Sequence, residues 1–181
     1  MAAIGAIEVY SIPNGIKAGD AMLKAADLRL DYAGTVCAGK YVVVVSGGVA
    51  EVQAGVAAGV AEADRYLIDS FVIPHVSEQV ITAISACGEV GDIRAVGVLE
   101  LFSVCSCIAA ADAAVKAANV QLIEVRLGRG LGGKSFMVFT GNVSDVQAAA
   151  QAARACPRAD GMLSDCTVLA SPHPDLVTAL L

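Results

Sequence analysis

Residues 3–30 read AIGAIEVYSIPNGIKAGDAMLKAADLRL, and residues 95–122 read AVGVLELFSVCSCIAAADAAVKAANVQL. Written one above the other, Gly5 meets Gly97, Glu8 meets Glu100, Ser11 meets Ser103, Asp20 meets Asp112 and Lys24 meets Lys116, all at a spacing of 92 residues. Self-similarity at a fixed period decides architecture before any local signal does. Further on, GKYVVVVSGGVAEVQAG (39–55) matches GKSFMVFTGNVSDVQAA (133–149) at a spacing of 94. The second copy therefore carries two extra residues just before its Gly-Lys, in GRGLGGK (128–134). VIPH (72–75) echoes SPH (171–173), which pairs His75 with His173. The chain is a duplication, and the repeat divides it into domains of residues 1–90 and 91–181.

Each copy reads the same way. IGAIEVYSI alternates as a strand, and NGIKAGDAMLKAA is a helix for which Asn14 is the expected N-cap. LRLDYAGTV and KYVVVVS are strands joined through CAG, and Gly47-Gly48 opens the helix VAEVQAGVAAGVAEADR. YLIDSFVIP is a fourth strand, VSEQVITAIS a short last helix, and EVGDIR (89–94) the link between copies. The order β-α-β-β-α-β plus a short helix is the ferredoxin-like split pattern. It predicts an α+β fold of two tandem domains, each an antiparallel sheet with two helices on one face.

Composition narrows the function classes. The 181 residues are 56% hydrophobic but only 4% aromatic, without Trp, so Ala and Val supply the excess. Charged residues are 17%, against roughly 25% in an ordinary domain, which points to surface buried against other copies. No apolar run reaches the ~18 residues of a membrane span; VCSCIAAADAAVKAANV is interrupted by Asp112 and Lys116. The first residues lack a basic leader and read as a strand, so the expected location is the cytoplasm, where six cysteines are thiols or ligands before disulfides. Net charge is −6, with 5 Lys/Arg against 11 Asp/Glu in residues 1–92 and 7 against 7 in the remainder. Neither half has the basic excess of a nucleic-acid binder.

The repeated strand AIGAIEVYSI/AVGVLELFSV, the helices GDAMLKAA and ADAAVKAAN, and the Gly-Lys-strand-Gly-x-Val pattern in each half resemble tandem-domain bacterial microcompartment (BMC) shell proteins. The resemblance runs through nearly the whole chain, twice in register. Both copies begin with the AIG/AVG strand, as in the non-permuted members, and the cysteine before the first Gly-Lys is similar to the T-type members. The resemblance implies homotrimers that mimic hexamers, six domains around a central pore, tiled edge to edge with other shell proteins in the bacterial cytoplasm. It also implies an iron–sulfur cluster at the pore of T-type members, bound by one cysteine per subunit, with enclosed redox enzymes as partners.

The stretch TVCAGK (35–40) carries the candidate chemistry. Taken in one chain, Cys37 is a single thiol and builds no metal site; its plain alternative is an inert loop residue. In the implied trimer three Cys37 thiols share one axis. Three thiolates suit a [4Fe-4S] cluster whose fourth iron takes a non-protein ligand, and a [3Fe-4S] form also fits. Leu131 stands at the matching place in copy two, so one ring of thiols forms. Ala38, Gly39 and Lys40, with Gly132, Gly133 and Lys134, complete the implied pore loops, the lysines either capping them or setting pore charge. Lys24 and Lys116 are the implied tile-edge residues; the plain alternative is a solvated helix charge.

The other cysteines carry less. Cys105 and Cys107 form C-x-C, without the spacing of strong metal sites, and read as a buried helix start. Cys87, Cys156 and Cys166 read as structural. No catalytic fingerprint is present: no GxSxG, Walker A or HExxH, and Lys134 in GRGLGGK precedes a strand rather than a helix. An enzyme is not expected. A cluster-free selective pore or scaffold tile, and a trimeric small-molecule-binding regulator, are the alternative readings.

Overall fold

The computed structural model describes residues 3–85 and 90–179. Cys87 and Glu89 lie outside the described residues. Two copies of one unit follow each other. In the first, β1 (Ala3–Val9), α1 (Ile12–Ala25), β2 (Arg29–Val36), β3 (Lys40–Gly47), α2 (Val49–Ala63), β4 (Leu67–Ile73) and α3 (Glu78–Ile84) succeed one another. In the second, β5 (Ala95–Leu101), α4 (Val104–Ala117), β6 (Val120–Arg126), β7 (Ser135–Gly141), α5 (Val143–Arg154), β8 (Leu163–Leu169) and α6 (Pro174–Ala179) repeat the order. The sheets are antiparallel, ordered β2-β3-β1-β4 and β6-β7-β5-β8. The α+β fold expected from the repeat is present in both halves.

Local chemistry places the elements. Ser11 and Ser103 cap α1 and α4, their hydroxyls accepting the N–H of Asn14 at 3.3 Å and of Ser106 at 3.2 Å. The expected N-cap at Asn14 is thereby corrected: the cap lies three residues earlier, at Ser11, because Pro13 fits the first turn, where no N–H is needed. The pairing of His75 with His173 is also corrected. Ile73 and Leu169 occupy equivalent strand ends, facing Ile4 and Val96. The residue ahead of α3 is then Ser77, and its counterpart ahead of α6 is His173, while His75 sits in a turn at φ 56°.

The first core lies between sheet and helices: Ile7, Val9, Val43 and Val45 pack against Ala18, Met22, Val52 and Val56. Each fully buried Val, Ile or Met side chain among them contributes about 1.5–3 kcal/mol relative to exposure. The opposite face of that sheet is also covered, and by the other domain. Ile4, Ala6, Val42, Val44 and Phe71 share one cluster with Val104, Cys105 and Ile108 of α4. Helix α4 thus lies between its own sheet and that of the first domain, and ten of its fourteen residues are buried. Its counterpart α1 has neighbours on one side only, and Ile12 and Ile16 are exposed at 37% and 55%. In the same way Gln79 of α3 takes the edge of β6, its Oε1 accepting from Leu122 N–H at 3.0 Å.

Candidate functional site

The β2–β3 connection is a tight turn whose tip is Cys37, Ala38 and Gly39. Gly39 has φ 78°, which glycine adopts without strain. Ala38 and Gly39 are exposed and Cys37 is half-buried. Beside the turn stands the corresponding connection of the second domain. The N–H of Cys37 donates to the carbonyl of Gly128 at 3.0 Å, and the N–H of Gly130 donates to Cys37 Sγ at 3.2 Å. The two hairpin tips, 93 residues apart at that contact, are therefore neighbours. The N–H groups of Gly130 and then Leu131 lower the Cys37 pKa; slight desolvation opposes them, and Gly133 and Gly132 add to the lowering. Amides favour the charged form of the sulfur, and the thiolate is the form that binds metal.

The lysines behind the tips do not project freely. Lys40 Nζ is tied to the buried carboxylate of Glu8, and Lys134 Nζ donates to Glu100 at 2.8 Å. Glu100 also accepts the hydroxyl of Ser164 at 2.9 Å, and these bonds, Lys134 foremost, hold its pKa below the usual carboxylate range. Each pair fastens the base of a hairpin to the neighbouring central strand. Gly132 and Gly133, at φ 61° and 90°, belong to the second tip. Lys24 and Lys116 lie far from both tips, in the last turns of α1 and α4, donating to Asp20 at 2.6 Å and Asp112 at 2.5 Å.

Cys105 and Cys107 are fully buried, in keeping with a helix start. Burial first, then Glu8 and Asp69, pushes the Cys105 thiol well up, and burial pushes Cys107 up to about 12. Neither is a thiolate near neutral pH. Cys156 and Cys166 are half-buried against the core. Among the described residues no group of three or more His, Cys, Asp or Glu side chains could hold a metal ion. Sequence reasoning overlooked Gly128 and Gly130. Their signal was the glycine spacing of GRGLGG, in which the four glycines take φ between 60° and 90°.

Comparison with known proteins fits this arrangement. A sequence model of the BMC domain matches residues 3–76 and again 95–172. The chain belongs to the BMC domain family. It is 42% identical over 174 residues to the bacterial microcompartment shell protein PduT of Citrobacter freundii, covering 96% of this chain and 95% of that protein. The solved structure of a microcompartment protein from Desulfitobacterium hafniense superposes with a TM-score of 0.93 at 47% identity, covering 98% and 99% of the two chains. A fused permuted hexameric shell protein of the RMM microcompartment superposes at 0.63 and 22% identity, over 86% and 83%, a likeness of fold. This BMC protein is a structural shell protein of the PduT type, and its place is the shell of a bacterial microcompartment. No described helix is long and apolar enough to cross a membrane.

Proposed function

We propose that this shell protein closes into a homotrimer whose central pore carries one iron–sulfur cluster, [4Fe-4S] with [3Fe-4S] as the three-iron form, held by Cys37 of each subunit. When bound, the cluster supplies one-electron chemistry, serving electron transfer across the shell or cluster delivery to an enclosed redox enzyme. The residues present fit such a group. Cys37 is a half-buried thiol at a hairpin tip, its thiolate favoured by backbone amides, and among the described residues no group of three or more His, Cys, Asp or Glu side chains competes for a metal.

The observation that carries the trimer is the contact between the two domains. Helix α4 covers the outer face of the first sheet, built from Ile4, Ala6, Val42 and Val44. The same positions of the second sheet, Val96, Val98, Phe136 and Val138, cluster instead with Val90 and Ile93 of the link, and no described helix belongs to that cluster. On α1, Ile12, Ile16 and Asp20 stand where α4 has Val104, Ile108 and Asp112. Laying α1 of one copy on the second sheet of another repeats the internal contact between chains. A head-to-tail contact of this kind generates rings when the rotation closes. The polar detail repeats too: Ser77 N–H donates to Asp112 at 2.9 Å, and the equivalent pair across subunits is His173 and Asp20.

Protein purified without oxygen is expected to be brown, with about one cluster for every three chains, three identical thiols sharing one axis. Cys37→Ala should stay trimeric and lose the colour and the iron. Iron undiminished in Cys37→Ala removes the assignment, and a wild type that takes up no iron leaves a plain pore. Lys24 and Lys116 are the proposed contacts between tiles, as donors to carbonyls across the seam. Lys24→Asp should leave trimers intact and impair two-dimensional sheets under the electron microscope; unchanged sheets count against it.

A further inference from the structure

The second hairpin tip is longer than the first by two residues, and glycine dominates it. Gly128, Gly130, Gly132 and Gly133 all have left-handed φ, between 60° and 90°. At Gly130 and Gly132 a Cβ would meet nothing within 4 Å, so conformation rather than crowding demands glycine there. What this conformation achieves is visible at Cys37. The carbonyl of Gly128 takes its N–H at 3.0 Å, the N–H of Gly130 takes its sulfur at 3.2 Å, and a Cβ on Gly133 would lie 3.7 Å from its carbonyl oxygen. The main chain and the sulfur of one residue are held from one side by one loop of the other domain. Consecutive left-handed and turn residues turn backbone N–H groups inward, which is how loops cradle anions and cluster sulfurs.

We infer that residues 128–133 are a backbone cradle for Cys37, with the Gly130 N–H as the positioning and tuning group for its sulfur. The first domain supplies the ligand and the second domain supplies its electrostatic setting. That division of labour explains why the duplicated hairpins diverged. The first has a short turn with a thiol, and the second has two more residues and glycines instead of a thiol. The redox half of this inference rests on the reading of Cys37 as a cluster ligand; the cradle itself does not. Hydrogen bonds to cluster sulfurs and their second-shell setting tune reduction potential. An N–H directed at a ligating sulfur favours the reduced, more negative state, so its loss should lower the potential.

Two measurements test this. In metal-free protein labelled with 15N-glycine, the Gly130 amide should exchange with solvent several-fold more slowly in wild type than in Cys37→Ala. Equal exchange overturns the cradle. In iron-reconstituted trimers, replacing residues 129–133 by Ala-Ala-Gly gives the second hairpin the three-residue tip of the first, and the midpoint potential should become more negative. An unchanged potential overturns the tuning. If wild type binds no cluster, the ligand reading fails, and amide exchange alone decides the cradle.

Discussion

Gly15 and Cys107 occupy the same place in α1 and α4, and the residues beneath them differ in compensation: Tyr41 in the first copy, Ser135 in the second. A Cβ on Gly15 would stand 2.6 Å from the Cβ of Tyr41. The helix lies on the aromatic side chain only because glycine leaves room. Ser135 keeps a Cβ but lacks the ring, whose Cδ1 and Cγ stand at 2.7 and 2.8 Å in the first copy, so a thiol at Cys107 is relieved of those two contacts, and half of the C-x-C pair is accounted for without metal. Gly15→Cys should destabilise by about 1–3 kcal/mol of overpacking, less about 0.3 kcal/mol regained in helix propensity. With Tyr41→Ser added, the loss should fall below the sum of the two single changes, since contacting residues couple by roughly 0.5–3 kcal/mol. Urea unfolding of the four proteins at one concentration measures that coupling, and strict additivity would refute the compensation. At this scale the sequence was partly legible. Cys37 stood out because its counterpart, Leu131, is not a thiol. Gly130 did not, because a contact to a backbone N–H leaves no mark on side-chain identity. Ser11 was legible as a cap in retrospect, since Ser103 repeats it whereas Asn14 meets Ser106.

Helices α1 and α4 are twins in sequence position and opposites in environment. Ile108 is fully buried and its twin Ile16 is 55% exposed. The difference has a cause in the chain: α4 lies against both domains, whereas α1 packs within the first alone, and in the proposed trimer a neighbouring copy covers its outer side. Ile108→Ala should therefore cost about 2–5 kcal/mol of the folded chain's stability. Ile16→Lys should leave circular dichroism unchanged and shift the protein from trimer to monomer in sedimentation velocity. A trimer that tolerates Ile16→Lys would show that α1 lies outside the subunit contact. The element order was legible from the repeat and from periodicity alone. The second function of α4 was not, because a helix apolar on all sides reports burial without saying by what. Gln79 on the β6 edge escaped for a similar reason, since an isolated glutamine in a short helix carries no pattern.

At the scale of the molecule, the trimer came from resemblance, because one chain's periodicity says nothing about a neighbour. The structure adds a polar test of it. Arg158, the middle residue of the 3-10 turn Pro157–Ala159, donates to both oxygens of Asp69 at 3.2 Å and to the carbonyl of Ser70 at 2.7 Å. It also lies 5.5 Å above the ring of Phe71, and so joins the second domain to β4 of the first. Asp165 occupies the matching place on β8 with the same local turn: Cys166 N–H donates to its carboxylate at 2.7 Å, as Ser70 N–H does to Asp69. Among the described residues no ion pair is formed by Asp165. Arg65 is the middle residue of the matching turn Asp64–Tyr66, and its own contacts are to Tyr66. If the internal contact repeats between chains, Arg65 of one subunit meets Asp165 of the next. Partly exposed pairs contribute about 0.2–1 kcal/mol each, so three around a ring amount to at most about 3 kcal/mol of trimer stability. Arg65→Glu replaces attraction by repulsion and should weaken the trimer in dilution sedimentation. Adding Asp165→Arg should restore it by exchanging the partners. Salt supplies the control: near 1 M, where charges are screened within about 3 Å, the single variant should approach wild type. A single variant as stable as wild type at low salt would place these two residues apart and the subunit contact elsewhere.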